Sequence, residues 1–497
     1  MISKTDKIIK KINLVQKLND KEFRILESIV DFHIRKNQKN LKSRCLIRFY
    51  KFDIIRFYSD YISKKNDKYT DNNFNKSSNK YIFPNMHIQK KRIIVNFDYS
   101  QYKKIIWKKR SFLQKIKIFL VETLSLIFNK GKLVGLLDNT IPISELIFYF
   151  ISKRYQIYFM KYEKIAANEM VYQKENLKNL FKEIDIKLKI PKQLDSNYHL
   201  FKFFDIHTSN KNKLENKKID LLISGHFTSV ANRIRAYNCK NNFYKTKIIG
   251  IAHGHNWIWD EPYNEIAEYE YSDYYLSYGK PRNINSKVLQ KLFYKTQIIG
   301  SSCDIIKKIK DQDYKIDLSD KELSEIKFLY VPREYQVNGY LPHHMSDQNY
   351  NLWHKILFEK FTDYNVTIKL HPKRKSLKHD SFFSKKFILE KEIKIEKIFN
   401  KYDVLIFDTL TSALTKTIAT NKPIIFFNIH ERKTSINVMK ILKKRVIYND
   451  MHKIQNFKIS KIKFKPKYYL NDEFINRYSL YKNKKRSSTL FELINKI

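Results

Sequence analysis

Hydrophobic and polar residues follow two different rhythms along this chain, and the change comes near residue 90. Before it, apolar positions recur every three to four residues over 23–34 and again over 46–62, which predicts charged amphipathic helices. A polar run follows at 64–80, where Asn72, Asn73, Asn75, Ser77, Ser78 and Asn79 signal loop or disordered chain. Residues 1–80 therefore read as a helical N-terminal extension whose purpose the pattern does not reveal.

From about residue 91 the rhythm shortens. β-branched runs at 93–95, 133–137, 156–160, 220–224, 247–251, 274–277 and 297–299 predict strands. Longer periodic segments such as 143–153 and 228–237 predict the helices between them. A second alternating block begins near 325, with strands expected at 328–331, 366–370, 404–407 and 424–427 and helices at 350–361, 393–400 and 412–420. Strand–helix alternation at this spacing argues for mostly parallel sheets covered by helices. The expected architecture is α/β, with two Rossmann-like domains at 91–310 and 325–480. The last stretch, 472–497, looks helical and is free to pack back across either domain.

Composition adjusts this picture without replacing it. A chain of 497 residues that is 43% hydrophobic and 15% aromatic can bury two sizeable cores. Its formal charge of +47, from 97 Lys and Arg against 50 Asp and Glu, favours anionic partners such as nucleic acid, phospholipid headgroups or phosphorylated substrates. Abundant Lys, Asn, Ile, Tyr and Phe with only 8 Gly is also what AT-rich coding produces, so part of the charge reads as compositional drift. The basic residues are spread along the whole chain, with no Arg-rich tract or zinc-ligand pattern of the kind nucleic-acid binders carry. Cys45, Cys239 and Cys303 are isolated, which fits a reducing cytoplasm better than a disulfide framework. The first residues lack the apolar core of a signal peptide. The longest uncharged apolar stretches, such as 146–152, fall far short of the ~20 residues a membrane span needs.

Glycine is scarce enough for its placement to matter. Six of the eight, Gly225, Gly250, Gly254, Gly279, Gly300 and Gly339, fall between 225 and 339, mostly beside predicted strand ends. Tight turns lining a cleft would use them so.

Three constellations could carry chemistry there. Lys369-Leu370-His371-Pro372 ends a strand, because proline cannot continue the ladder. His371 then stands at a strand's carboxyl end, where open α/β sheets bind ligands, and Lys373 and Arg374 could add phosphate contacts. The buried run 403–408 ends in Asp408, and Thr409, Thr411 and Ser412 open a helix whose free N–H groups suit an anion, although ordinary capping explains the same residues. Ile249-Gly250-Ile251-Ala252-His253-Gly254-His255 ends another strand, with Trp257, Trp259, Asp260 and Glu261 beyond. A histidine there suits proton abstraction from an acceptor hydroxyl. The His-x-His pair could ligate a metal, but no third ligand stands at a recognised spacing, so none is expected. His226 after Gly225 is a further strand-end histidine.

Taken in order, the His-Gly-His loop, Leu329-Tyr330-Val331-Pro332, Lys-Leu-His-Pro and Asp-Val-Leu-Ile-x-Asp with its Thr/Ser turn resemble GT-B transferases of surface-polysaccharide synthesis. These include the CDP-glycerol glycerophosphotransferases, capsule glycosyltransferases and sialyltransferases with His-Pro and Ser/Thr motifs. The resemblance covers about 219–430. It implies two domains facing across a cleft, with the donor mainly on the C-terminal one. It also implies His253 as base, His371 on donor phosphate, and Thr411 and Ser412 holding phosphate. The chain departs from the glycerophosphotransferases at Gly254-His255, where Gly-Thr is usual, and at Asp408-Thr409-Leu410-Thr411-Ser412, where Asp-Tyr-Ser-Ser is usual. A CMP-sugar or another nucleotide-sugar therefore fits as well as CDP-glycerol.

The expected reaction is a metal-independent displacement. His253 or His255 removes the acceptor proton, while His371, Thr411 and Ser412 stabilise the nucleotide leaving group. Arg333, Pro372, Lys373, Asp408 and Thr409 complete the expected phosphate site. The partners implied are a nucleotide-sugar or CDP-polyol donor, with no separate cofactor, and a glycan or lipid-linked acceptor. Nucleic acid is not expected, and the basic surface suits the inner face of an anionic cytoplasmic membrane. Two rival readings remain open at this point: a basic non-enzymatic nucleic-acid-binding protein, and a catalytically degenerate GT-B scaffold.

Overall fold

Alternation of inward and outward side chains gives the chain two six-stranded parallel sheets. The computed structural model describes residues 4–37, scattered positions over 51–66, then 86–89, 92–95, 112–136, 149–159, 165–190, 208–209, 218–252, 271–281, 296–333, 345–369, 388–390, 394–465 and 470–497, with short gaps inside several stretches. A small antiparallel hairpin, β1 (Met86–Gln89) and β2 (Arg92–Val95), stands apart from both sheets. The run at 93–95 is thus a hairpin arm rather than the first strand of the parallel series.

The first sheet comprises β3 (Leu133–Leu136), β4 (Gln156–Phe159), β7 (Leu221–Ser224), β8 (Lys247–Ile251), β9 (Tyr274–Tyr278) and β10 (Gln297–Ser301). Between them lie the two-residue strands β5 (Ile165–Ala166) and β6 (Thr208–Ser209), which pair only with each other. The sheet runs β10-β9-β8-β7-β3-β4, all parallel, so the order in which strands are added reverses between β3 and β7. The second sheet comprises β11 (Phe328–Val331), β12 (Val366–Lys369), β13 (Ile388–Glu390), β14 (Val404–Phe407), β15 (Ile424–Asn428) and β16 (Ile447–Asp450). Its order, β13-β12-β11-β14-β15-β16, is the doubly wound dinucleotide-fold order, with the reversal between β11 and β14.

Period-two patterning puts the second sheet between two cores. Phe328, Tyr330, Val404, Ile406, Ile425 and Phe427 face one side. Leu329, Val331, Leu405, Phe407, Ile424 and Phe426 face the other. Burial on both faces explains why these strands read as continuous apolar runs. The edge strand β13 escaped the sequence pattern because it has only three residues, and β16 because it is only half-buried along its length.

Helix α1 (Lys4–Asn37) is far longer than the periodic stretch 23–34. Its buried positions Ile9, Ile12, Val15, Asn19, Phe23, Leu26, Val30 and Ile34 fall three or four apart and form one stripe. Ile9 and Ile12 belong to a core of the second sheet. Farther along, His33 Nε2 lies 2.8 Å from Glu183 Oε2. Helix α1 is therefore packed into a core of the second sheet and tied to Glu183.

Helix α2 (Phe112–Phe128) packs in the reverse sense to most surface helices. Its polar residues seal the edge strand β4: Phe159 N donates to Glu122 Oε1 at 2.6 Å, and Ile157 N donates to Ser125 Oγ at 3.0 Å. The apolar face turns outward, with Phe119, Ile127 and Phe128 exposed by 65%, 64% and 73%. Helix α3 (Ala167–Lys187) carries Glu183. Helix α4 (Asp304–Lys310) follows β10.

Helix α5 (Asp347–Glu359) starts at Ser346, whose side chain accepts from Asn349 N. Helices α6 (Ser412–Ile418) and α7 (Ile436–Leu442) cover the opposite face of the second sheet. Arg445, fully buried, donates to the carbonyls of Ile418 and Lys422 at 3.0 Å each, satisfying groups that the end of α6 leaves unpaired. The segment expected as a helix at 393–400 instead forms two 3-10 turns, Ile395–Lys397 and Phe399–Lys401.

The C-terminal stretch divides between the sheets. Helix α8 (Glu473–Tyr478) adds Phe474 and Ile475 to a core of the second sheet, and α9 (Arg486–Lys496) adds Leu490, Leu493 and Ile494 to the core of the first. The crossing is fixed where Cys303 N donates to Ser479 O at 2.8 Å and Lys280 N donates to Arg477 O at 3.0 Å. Gly279 permits that approach. Its φ is +77°, and a Cβ there would lie 2.4 Å from Arg477 O.

Candidate functional site

In a sheet of this order, ligands bind outside the carboxyl ends of the strands at the reversal point. Here that point lies between β11 and β14, whose last residues Val331 and Phe407 are register partners. Pro332 and Arg333 leave one strand and Asp408 and Thr409 leave the other. The sequence therefore delivers a guanidinium, a carboxylate and a hydroxyl to one place.

The carboxylate is sealed. Asp408 has no exposed side-chain surface and accepts from the hydroxyls of Tyr330 and Tyr350 and from Trp353 Nε1. The Tyr350 hydroxyl is 2.8 Å from Oδ2 and the indole nitrogen 3.1 Å from it. Because the Tyr330 hydroxyl donates its proton to Asp408, its 2.7 Å contact with His354 Nε2 assigns the proton of that bond to the imidazole. An ionised carboxylate buried without such donors would cost several kcal/mol, of the order of 5. Burial still prevails over the hydrogen bonds from Tyr330 and Tyr350. With the Glu431 charge adding to it, the Asp408 pKa is pushed up to about 6.

Arg333 is engaged in the same network. Its Nε lies 2.9 Å from Glu431 Oε1, its Nη2 donates to Met345 O at 2.6 Å, and the guanidinium stands 4.2 Å from the Tyr350 ring centre. Arg333 N also donates to the Tyr350 hydroxyl at 2.9 Å. The sequence reading puts Arg333 and Asp408 among the phosphate contacts. In the structure both side chains point inward, and their visible work is to tie the two strand ends to α5.

The hydroxyls differ. Thr409 Oγ1 is buried and has no hydrogen-bond partner among the described residues. Thr411 is the N-cap of α6, accepting from Leu414 N at 3.2 Å, as the capping reading expects. Ser412, the first residue of α6, is exposed. His253, His255, His371, Pro372 and Lys373 lie outside the described residues, as do His226, Gly254 and Arg374. What is described is the ground they stand on. The strand before His253 ends at Ile251, and the strand before His371 ends at Lys369. The carbonyl of Ala252, next to His253, accepts from Arg486 Nη1 at 3.3 Å, and the same nitrogen donates to the Tyr278 hydroxyl at 2.6 Å. An arginine from α9 thus anchors the base of the His-Gly-His loop.

No family model matches the chain, and no curated protein matches it in sequence. Distant likenesses to solved structures are found. A spinosyn forosaminyltransferase, SpnP, aligns at a TM-score of 0.35 with 7% identity, covering 74% of this chain and 99% of its own. MurG of Acinetobacter baumannii aligns at 0.34 with 8% identity, covering 74% and 100%. A point variant of the wall teichoic acid polymerase TagF aligns at 0.34 with 13% identity, covering 80% and 98%. Likeness this remote says nothing about chemistry, which has to come from the residues.

Sequence reasoning missed the residues that complete the network. Tyr350, Trp353 and His354 lie three and four apart on α5, a spacing that puts all three on one helix face. Polar-tipped aromatics at that spacing were the available signal. It passed as ordinary core because nothing local announces that Tyr350 and Trp353 meet a carboxylate 58 and 55 positions away. Among the described residues, one group could hold a metal ion: His430, Asp450 and His452, at the ends of β15 and β16 and away from the reversal point.

Proposed function

We propose that the chain is a GT-B-type glycosyltransferase-like enzyme of bacterial surface-polysaccharide synthesis. It moves a sugar or polyol phosphate from a nucleotide-activated donor to a glycan or lipid-linked acceptor. One observation carries the reading: parallel strands end just before His253, His371 and Thr409 in the chain. His253 comes two residues after β8, His371 two residues after β12, and Thr409 two residues after β14. Open α/β sheets build their ligand sites at those strand ends.

In this reading His253 or His255 takes the acceptor proton as the new bond forms. His371, Lys373, Ser412 and the unpartnered hydroxyl of Thr409 receive the charge that develops on the departing nucleotide phosphate, and Thr411 holds the turn. Pro372 fixes the chain after His371. Arg333 and Asp408 hold the β11 and β14 ends from beneath. A peripheral contact with anionic membrane is part of the proposal, supported by the outward apolar face of α2 on a strongly basic chain. Among the described residues no helix is long and apolar enough to cross a membrane.

The test is nucleotide release from CMP-, CDP-, UDP- and GDP-linked donors by the purified chain. One donor is expected to turn over, with His253→Ala and His371→Ala each lowering the rate by at least ~100-fold while the fold is kept. Full activity in either variant removes that residue from the mechanism. A second reading, a silent scaffold of the same fold, is favoured by the sealing of Arg333 and Asp408 in a structural network. Turnover of none of the donors would select it.

A further inference from the structure

The last residues of β15 and β16, Asn428 and Asp450, are register partners. Each strand then continues two residues to a histidine, so the parallel ladder delivers His430 and His452 side by side. Their rings stack with centroids 4.8 Å apart and planes 12° from parallel. The carboxylate of Asp450 joins them: His430 Nε2 lies 2.9 Å from Oδ2, and His452 N donates to Oδ1 at 2.9 Å. His430 is held in the left-handed region, φ +53°, with its own N–H donating to Asn428 Oδ1 at 3.1 Å. That conformation is uncommon for a residue with a side chain. Here it turns the imidazole toward Asp450.

Each ring is also gripped from behind. Asn428 Nδ2 lies 3.3 Å from His430 Nδ1, and Asn13 Nδ2, reaching down from α1, lies 3.0 Å from His452 Nδ1. Both amides donate to Nδ1, so each neutral ring carries its proton on Nε2, and His430 Nε2–H donates to Asp450. An ion would displace those protons, and the Asn13 amide would turn to offer its oxygen to the His452 Nδ1–H.

We propose that His430, Asp450 and His452 form a binding site for a divalent first-row transition-metal ion such as Zn2+. Two imidazoles and one carboxylate are a preferred ligand set for these ions, with further positions left for water. The distances permit it. One donor atom from each residue lies within 4.8 Å of the others. Two ligands on a tetrahedral zinc stand about 3.4 Å apart, given bonds of about 2.1 Å. The exposed His430 and His452 rings both have to turn inward on binding to close that difference. Because Asn13 belongs to α1, and Gln16 of the same helix donates to Ile429 O at 3.3 Å, a bound ion would also fasten that helix to the second sheet. The site lies beyond the transfer reaction proposed above, which it neither supplies nor requires.

The test uses the full chain, stripped with a chelator and titrated with Zn2+ by calorimetry, and with Co2+ by visible absorption. Wild type is expected to bind one equivalent at this site with visible Co2+ d–d bands. His430→Gln/His452→Gln should lower that affinity at least ~100-fold, and Asn13→Ala should lower it ~10-fold, the range found for outer-shell partners. His253→Ala/His255→Ala is the decisive control, because the His-Gly-His loop is the other source of paired imidazoles. It should keep the equivalent. Loss in that control, retention in the His430→Gln/His452→Gln variant, or no binding by wild type each overturns the proposal. Should the double variant unfold by circular dichroism, Asp450→Asn, which keeps size and shape, replaces it with the same expected loss.

Discussion

Asp408 and Asp450 stand at the same edge of the same sheet, and they are opposites. Asp408 follows β14 into complete burial, where two tyrosines and a tryptophan satisfy it and its pKa rises to about 6. Asp450 ends β16 at the rim. There burial is partial and is outweighed by the His452 amide and the His430 ring, so its pKa falls. Two carboxylates of like origin therefore divide the work by depth of burial and by the partners that depth brings. The buried one shapes the strand ends and is closed to ligands. The rim one remains chemically available.

The comparison can be broken most sharply at its buried end. Asp408→Ala should remove about 3–5 kcal/mol of stability, because it strands three donors in a closed interior, and denaturant unfolding measures this. Tyr350→Phe should cost less, about 1–3 kcal/mol, by leaving Arg333 N and part of the carboxylate unsatisfied. A cost near zero would mean that water enters this network.

Titration sharpens the contrast further. The folded pKa of Asp408, about 6, lies above the ordinary 3.8. The stability tied to this group is thus fully present below pH ~4 and is lost as pH rises through ~6. Asp408→Asn should flatten that part of the pH–stability curve relative to wild type. An unchanged slope between pH ~4 and ~6 would remove Asp408 as its source.

At the rim, Asp450→Asn should change the stability of the metal-free chain by no more than about 1 kcal/mol, as exposed pairs do. The smallest effect is expected from Thr409→Val. Its hydroxyl has no partner among the described residues, so stability should hold or rise by under ~1 kcal/mol, while donor affinity falls. Weaker folding with unchanged donor binding would contradict the role given to that hydroxyl.

The central strands were legible because residues 221–223 of β7, and all of β11 and β14, form unbroken hydrophobic runs, as two-sided burial favours. Strand-end chemistry was legible for the same reason: a strand that must stop shows where it stops. Helix over 4–37 was legible as part of the helical extension, but the continuity of its buried stripe was hidden by Asn19, a polar residue in its middle, whose Oδ1 accepts from Asn66 Nδ2 at 2.8 Å. The inward turn of Arg333 was hidden because Glu431, its counter-ion, lies far along the chain in the segment after β15. The His430–Asp450–His452 group was invisible for a related reason. Only pairing of β15 with β16 brings two distant histidines into register, and no local spacing announces it.

The most direct test of the account is a crystal structure of the chain with the nucleoside diphosphate or monophosphate of the donor it turns over. The account predicts the phosphates at the β11–β14 reversal point, within hydrogen-bond distance of His371 and Thr409. Phosphates bound elsewhere, with that edge left to solvent, would contradict it.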